Sequence, residues 1–334
     1  MTKNIAVNLL SVSSEKATGS FVYIKNLLDK LLVLDQNNSY CLILSSDNCR
    51  YFKTRYSNHQ NVKCYVSGIS RDVFLNPARA VLKLLAKIKK DRQMREVISK
   101  TEVQNLINKN KIDIVFFPSG TLYPGGLQNI KTITTVFDLQ HEYFPNNFSE
   151  RYLSQRKKDS VYVACNSDHI IAISEFTKKT IIEKYKINSD KITVIYLAPQ
   201  EQNISRYSHR LTLPDDFIFY PAAVWPHKNH KILIEAFNLL KPKFPNLNLV
   251  FSGSIKRGDL KKELDALVVS YGLKDKVRFL GFVRDEDMAL IYKHAKAVIY
   301  PSSFEGFGIP LVEAFNYGVP IIAADNTSIS EVVG

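Results

Sequence analysis

Residues 300–318 read Y-P-S-S-F-E-G-F-G-I-P-L-V-E-A-F-N-Y-G, with Glu305 and Glu313 eight positions apart and Gly306 and Gly308 between them. Glycines let backbone amides approach a ligand closely, and Pro310 suits the first turn of a helix. Amides at a helix start bind anions, so a diphosphate is the natural occupant. A carboxylate accepts two hydrogen bonds and can hold vicinal hydroxyls, as on a ribose. Two carboxylates beside an anion-binding helix start therefore suit a nucleotide-sugar better than a free nucleotide. Lys228, in W-P-H-K-N-H after an apolar run, places a cation at the start of a further helical pattern. The plainer reading is a loop–helix turn with Glu305 in solvent, Glu313 capping and Lys228 at a solvated helix end. For any one of these residues that reading would win; the whole string, set between two strand-like runs, favours chemistry.

Positioning such groups needs a rigid scaffold. Apolar β-rich runs fall at residues 4–10, 40–45, 62–66, 112–117, 132–137, 170–173 and 192–195. A helical pattern at 20–34 has its apolar residues spaced three and four apart. After a polar stretch at 199–216, strands are predicted at 217–224, 247–251, 277–280, 297–300 and 320–323. Helices are predicted between them at 229–240, 259–271, 285–294 and 310–317. Strands alternating with helices imply right-handed βαβ units and parallel sheets. Continuous apolar runs such as FIFYPAAV fit strands covered on both faces. The expected architecture is α/β with two Rossmann-like domains, residues 1–200 and 216–334, joined by a linker at 201–215 and facing a cleft where ligands bind. The sequence stops at E-V-V-G directly after a strand and a loop, where such a sheet is expected to have one more covering helix.

The 334 residues hold 45 Lys and Arg against 32 Asp and Glu, a formal charge of +13. Residues 1–200 carry 29 basic and 17 acidic side chains, so nearly all the excess sits there. The segment 79–100 has eight basic and two acidic residues along a partial apolar stripe. It reads either as an anionic membrane-surface helix or as the solvated face of an ordinary domain helix. Arg151, Arg156, Lys157 and Lys158 form a second basic cluster. Helix–turn–helix, RNP-like and zinc-finger patterns are missing, which argues against a nucleic-acid partner. Cys41, Cys49, Cys64 and Cys165 make no C-x-x-C pair and read as reduced, buried thiols, and the seven histidines show no metal-ligand spacing. No run approaches the roughly 18 apolar residues of a spanning helix, and residues 1–14 lack a secretory leader pattern. The expectation is a soluble or peripheral cytoplasmic chain without a metal cofactor.

The motif S-x-x-E-G-F-G-x-P-x-x-E-A-x-x-x-G-x-P-x-I-A resembles the E-x7-E signature of retaining GT-B glycosyltransferases of family 4. The resemblance extends to W-P-H-K-N-H at 225–230, F-S-G-S at 251–254 and F-L-G-F-V at 279–283. In the first half it includes A-T-G-S-F at 17–21, F-D-L-Q-H at 137–141 and A-I-S-E-F-T-K at 172–178. It implies a GT-B fold and transfer of a sugar from a nucleoside diphosphate donor to an acceptor held by the first domain. A glycan or polyprenyl-diphosphate-linked acceptor at the inner membrane face, in surface-polysaccharide assembly, is the implied setting. Glu313 would bind the ribose, and Glu305 the transferred sugar near its anomeric carbon. The amides of Gly306, Phe307 and Gly308, with Lys228, would bind the diphosphate. Gly19 would lie under the phosphates, and Val283 would edge the base. Where many members carry an arginine ahead of the lysine, this chain has His227, a cation only when protonated. His141 and Asp138 fall in the family's His-Asp-Leu region and are catalytic candidates, with structural roles as the alternative for both. Rival readings are a nucleotide-sugar epimerase on the same scaffold and a non-catalytic nucleotide-sugar-binding partner.

Overall fold

A computed structural model describes residues 2–13, 19–68, 92–199, 211–255 and 257–334. They fall into two compact units. The first comprises residues 1–139, 150–173 and 177–195; the second comprises 140–149, 174–176 and 196–334.

In the first unit seven parallel strands form one sheet: β1 (Asn4–Asn8), β2 (Ser39–Leu44), β3 (Val62–Val66), β4 (Ile114–Phe117), β5 (Lys131–Val136), β6 (His169–Ala172) and β7 (Ile192–Val194). Their order is β3-β2-β1-β4-β5-β6-β7, so the direction of winding reverses between β1 and β4. Alternate strand residues enter two separate cores. Ala6, Ile43, Val115 and Phe117 pack with Val103 and Ile107 of α3 (Arg92–Lys109) and Val163 of α5 (Glu150–Asn166). Val7, Leu42, Leu44 and Phe116 pack on the other face. That face is covered by Phe21, Ile24 and Leu28 of α1 (Gly19–Leu34) and Phe52 and Tyr56 of α2 (Cys49–Tyr56). Strands buried on both faces explain the unbroken apolar runs in the sequence.

The second unit carries five parallel strands: β8 (Phe217–Pro221), β9 (Asn248–Ser252), β10 (Val277–Phe279), β11 (Ala297–Tyr300) and β12 (Ile321–Ala323), in the order β10-β9-β8-β11-β12. Tyr220, Leu249 and Phe251 pack with Leu233, Ile234 and Phe237 of α7 (His230–Leu240) and Leu264 of α8 (Gly258–Ser270). Phe217, Phe219, Val250 and Val298 pack with Ile291 and Tyr292 of α9 (Asp285–His294) and Ala314 of α10 (Ile309–Asn316). The short α4 (Gln140–Tyr143) and the first two residues of α6 (Glu175–Tyr185) also belong to this unit. Here too the winding reverses, between β8 and β11, and ligands in such sheets bind beyond the carboxyl ends of the strands at that point.

Most predicted elements lie within one or two residues of those observed. The strand expected at 217–224 stops at Pro221, and only an isolated bridge from Val224 to Ile255 resumes it. Residues 327–333, expected as loop, form α11 (Thr327–Val333), whose Ile329 is fully buried against the second sheet's core. Of the four cysteines only Cys41 is buried; Cys49 and Cys64 are half-buried and Cys165 is exposed, because α5 turns that position outward. The basic stripe at 79–100 lies outside the described residues up to 91, and the linker lies outside them from 200 to 210. Among the described residues no helix is long and apolar enough to cross a membrane.

Candidate functional site

The loops leaving β8 and β11 meet at the reversal point of the second sheet. After β8 the chain passes through a short 3-10 turn, Pro226–Lys228, and enters α7 through Asn229, whose φ of 55° is a conformation asparagine tolerates. The Asn229 amide donates to the Pro301 carbonyl at 2.8 Å. The His227 carbonyl accepts from the Ser303 amide and hydroxyl. The buried Tyr220 hydroxyl donates to the Lys228 carbonyl and pairs with Ser302 Oγ, both at 2.8 Å. Two loops more than 70 residues apart in sequence are thus stitched together through backbone groups.

The stitching places Lys228 Nζ 2.5 Å from Glu305 Oε1, with side chains 16% and 11% exposed. Nζ also sits 5.8 Å from the centre of the Tyr300 ring. Gly306 and Gly308 follow Glu305 into α10, with Gly308 at φ 108°, where a Cβ would meet the Leu311 side chain at 2.9 Å. Phe307 is buried against the Tyr196 ring, centroids 5.9 Å apart. Eight residues on, Glu313 Oε2 accepts from the Tyr292 hydroxyl at 2.8 Å. Burial and that carboxylate push the Tyr292 phenol far above its ordinary value, so it remains a donor. A cation, a carboxylate and a glycine-linked helix start therefore converge, with a second carboxylate one helix turn further on.

The other candidates are placed as follows. His227 adjoins Lys228, its ring 6.4 Å from that of Trp225. Val283 lies half-buried at the end of the β10 loop, against the α9 core. His141 is fully buried in α4, with Nε2 3.5 Å from Glu142 Oε1. Its neighbours Tyr143 and Phe144 pack on Phe304, centroids 5.4 and 5.9 Å away. Asp138 and Gly19 lie in the first unit. Asp138 is ion-paired to Arg156 at 2.9 Å, and Gly19 opens α1 with open space where its Cβ would be. Among the described residues no cluster of three or more His, Cys, Asp or Glu side chains is arranged to hold a metal ion.

One histidine escaped sequence reasoning. His230, the first residue of α7, is buried between Tyr220 and Phe251, and its Nε2 lies 3.3 Å from the Ala222 carbonyl. Burial, with Lys228 nearby, lowers its pKa to about 4. The unfolded chain takes up this proton near pH 6.5, whereas the folded state resists until about pH 4. Stability linked to His230 is thus intact above pH 6.5 and falls as pH drops toward 4, by at most about 3 kcal/mol. Denaturant titrations at pH 7.5 and 4.5 check this: His230→Phe should lose less stability between those pH values than the wild type. An equal loss in both proteins refutes the assignment.

Comparison with known proteins adds independent findings. Residues 201–334 match the family model described as Glycosyl transferases group 1, and residues 69–198 match that of Glycosyltransferase Family 4. An O-antigen chain mannosyltransferase of Salmonella typhimurium is 32% identical over 200 residues, covering 60% of this chain and 53% of the relative. O-antigen chain mannosyltransferase B of Escherichia coli is 31% identical over 221 residues, covering 61% and 55%. The chain thus spans about half the length of these curated relatives. Among solved structures, Anabaena Alr3699/HepE in complex with UDP and glucose superposes with a TM-score of 0.67 at 19% identity, over 99% of this chain and 83% of that one. The lipopolysaccharide glycosyltransferase WaaG gives 0.63 at 13%, over 98% and 83%. At such identities the likeness establishes a shared fold.

Proposed function

The chain belongs to the GT-B glycosyltransferases of group 1 and family 4, and on that premise we propose that it moves a sugar from a nucleoside diphosphate donor to a surface-glycan acceptor with retention of anomeric configuration. The observation that carries this reading is the Lys228–Glu305 pair at the glycine-linked start of α10, with Glu313 eight residues on. Lys228 and the amides of Gly306, Phe307 and Gly308 would take the diphosphate. As it departs, its growing charge would meet donors already in place. Glu313, held by Tyr292, would bind the ribose hydroxyls, and Glu305 the transferred sugar. No step in this scheme requires a metal ion. The names of the relatives favour mannose as the sugar and an O-antigen-type glycan as the product. The +12 charge of residues 1–200 suits a polyprenyl-diphosphate-linked acceptor at the cytoplasmic face of an anionic membrane.

The test is a donor screen, reading nucleotide release from GDP-mannose and from UDP- and ADP-sugars, with polyprenyl-diphosphate-linked acceptors and with EDTA present. Transfer should persist in the chelator, and NMR of the product should show the donor's anomeric configuration. Glu313→Ala should raise the donor KM about 10- to 100-fold, the loss expected for hydrogen bonds to a charged group. Conversion of the donor to an epimer without acceptor would replace this reading with an epimerase. Failure to bind any nucleoside diphosphate would leave a fold without its activity.

A further inference from the structure

The loop that would hold the diphosphate is fastened by a short polar turn no motif pointed to. Asn326, Thr327 and Ser328 form the entry to α11, and all three side chains reach the backbone of the 302–307 loop or brace one another. Asn326 Nδ2 donates to the Ser302 carbonyl at 3.2 Å. Thr327 Oγ1 accepts the Glu305 amide at 3.2 Å and donates to Asn326 Oδ1 at 3.1 Å. The fully buried Ser328 hydroxyl lies 3.0 Å from both the Glu305 and the Phe307 carbonyls, a shared three-centre bond. Between them, the Gly306 carbonyl accepts from the fully buried Ser174 hydroxyl at 2.7 Å.

Three successive carbonyls are therefore held by buried hydroxyls. In a trans peptide the carbonyl and the following N–H point in opposite directions. Fixing the carbonyls of Glu305, Gly306 and Phe307 thus fixes the aim of the Gly306, Phe307 and Gly308 amides toward the other side of the loop. The arrangement is held at a conformational cost, because Thr327 is β-branched yet sits at φ 50°. Such a residue in that region is an outlier, kept only where the surroundings over-determine it.

We propose that the Asn326-Thr327-Ser328 turn, with Ser174, is the positioning element that presets the anion-binding amides of residues 306–308. This rests on the reading that those amides take the donor diphosphate, and it assigns to four residues outside the E-x7-E string the task of aiming them. They touch the loop, not the ligand, so they are positioning residues.

The experiment measures binding of GDP and UDP by calorimetry, together with the monophosphate of whichever binds, at least about 10 °C below each variant's own Tm. Ser328→Ala should weaken diphosphate binding about 5- to 10-fold, as expected for one lost hydrogen bond. It should also narrow the preference for diphosphate over monophosphate, which a general loss of stability does not move. Thr327→Gly keeps the backbone conformation but removes the hydroxyl, and should behave like Ser328→Ala. It also stands in if that variant fails to fold. Thr327→Ser retains the hydroxyl and should stay within about 2-fold of the wild type. An undiminished preference in both Ser328→Ala and Thr327→Gly overturns the positioning role while leaving the diphosphate site standing. A wild type that binds neither GDP nor UDP overturns the site itself.

Discussion

Replacing Lys228 with alanine should lower the proposed transfer by about 10²–10³-fold, the range seen when one preorganised donor to a developing anion is removed. On the proposed function the loss should fall mainly on kcat, because the diphosphate charge that Lys228 would answer grows as the bond to the sugar breaks. The variant has a second effect. Lys228 is the direct ionic partner of Glu305, whose side chain is only 11% exposed. Deleting the cation strands a largely desolvated carboxylate, which costs about 3 kcal/mol when the pair is buried. The two effects separate in the double variant Lys228→Met/Glu305→Gln. Removing both charges should restore thermal stability close to the wild type, while transfer stays as low as in Lys228→Ala. Wild-type kcat/KM in Lys228→Ala would remove the lysine from the chemistry. A double variant as unstable as Lys228→Ala would show that the pair is not what the lost stability reports.

The largest effect on folding is expected from Gly253→Ala. Gly253 follows β9 at φ 132°, and a Cβ there would lie 2.5 Å from the carbonyl carbon and oxygen of Ala222. Real carbons do not approach that closely, and the obstacle is backbone that cannot rotate away. Ala222 is itself held, because its carbonyl lies against the His230 ring at 3.3 Å. Gly253 is held from the other side by the hydrogen bond its backbone N–H donates to the Gly281 carbonyl at 2.7 Å. Backbone strain and overpacking together cost about 3–5 kcal/mol. For a unit of this size that lowers Tm by roughly 10 °C. Nucleotide binding should weaken with it, because Ala222 begins the loop that carries Lys228. A Tm within about 2 °C of the wild type would show that β8 and β9 can part without penalty.

Much of this was legible in the residue order, for identifiable reasons. Strand cores such as FIFYP and AVIY read correctly because both faces are buried, so no polar residue interrupts them. Glu305, Glu313 and the glycines stood out because they sit in one contiguous string at a strand-to-helix turn. What stayed hidden depends on contacts between distant segments. Nothing in the order of residues reveals that the Lys228 ammonium donates to the Glu305 carboxylate, 77 positions away. The helix at 327–333 was missed because T-S-I-S-E-V-V is rich in β-branched and hydroxyl residues, poor helix formers, and it forms by packing Ile329 into the core. The polar run N-T-S just before an apolar residue is a helix-start signal that would have marked the residues that hold the loop. His141 looked like a cleft residue from its place after a strand. It is instead completely buried, beside Tyr143 and Phe144, which pack on Phe304 161 and 160 positions away.

Trp225 is the sole tryptophan of the chain, and it stands at the mouth of the loop that carries Lys228. Its indole neighbours the His227 ring at 6.4 Å, and that loop is tied to the loop after β11. Those bonds require the non-local pairing of Phe219 with Val298, one of the costlier contacts for the chain to find while folding. Emission from this one tryptophan should therefore report, without any label, both the assembly of the second sheet and, on the proposed function, the arrival of an anion beside Lys228. A refolding trace and a nucleotide titration can be read on the same channel, and a phase common to both would mark the moment at which the site comes into being.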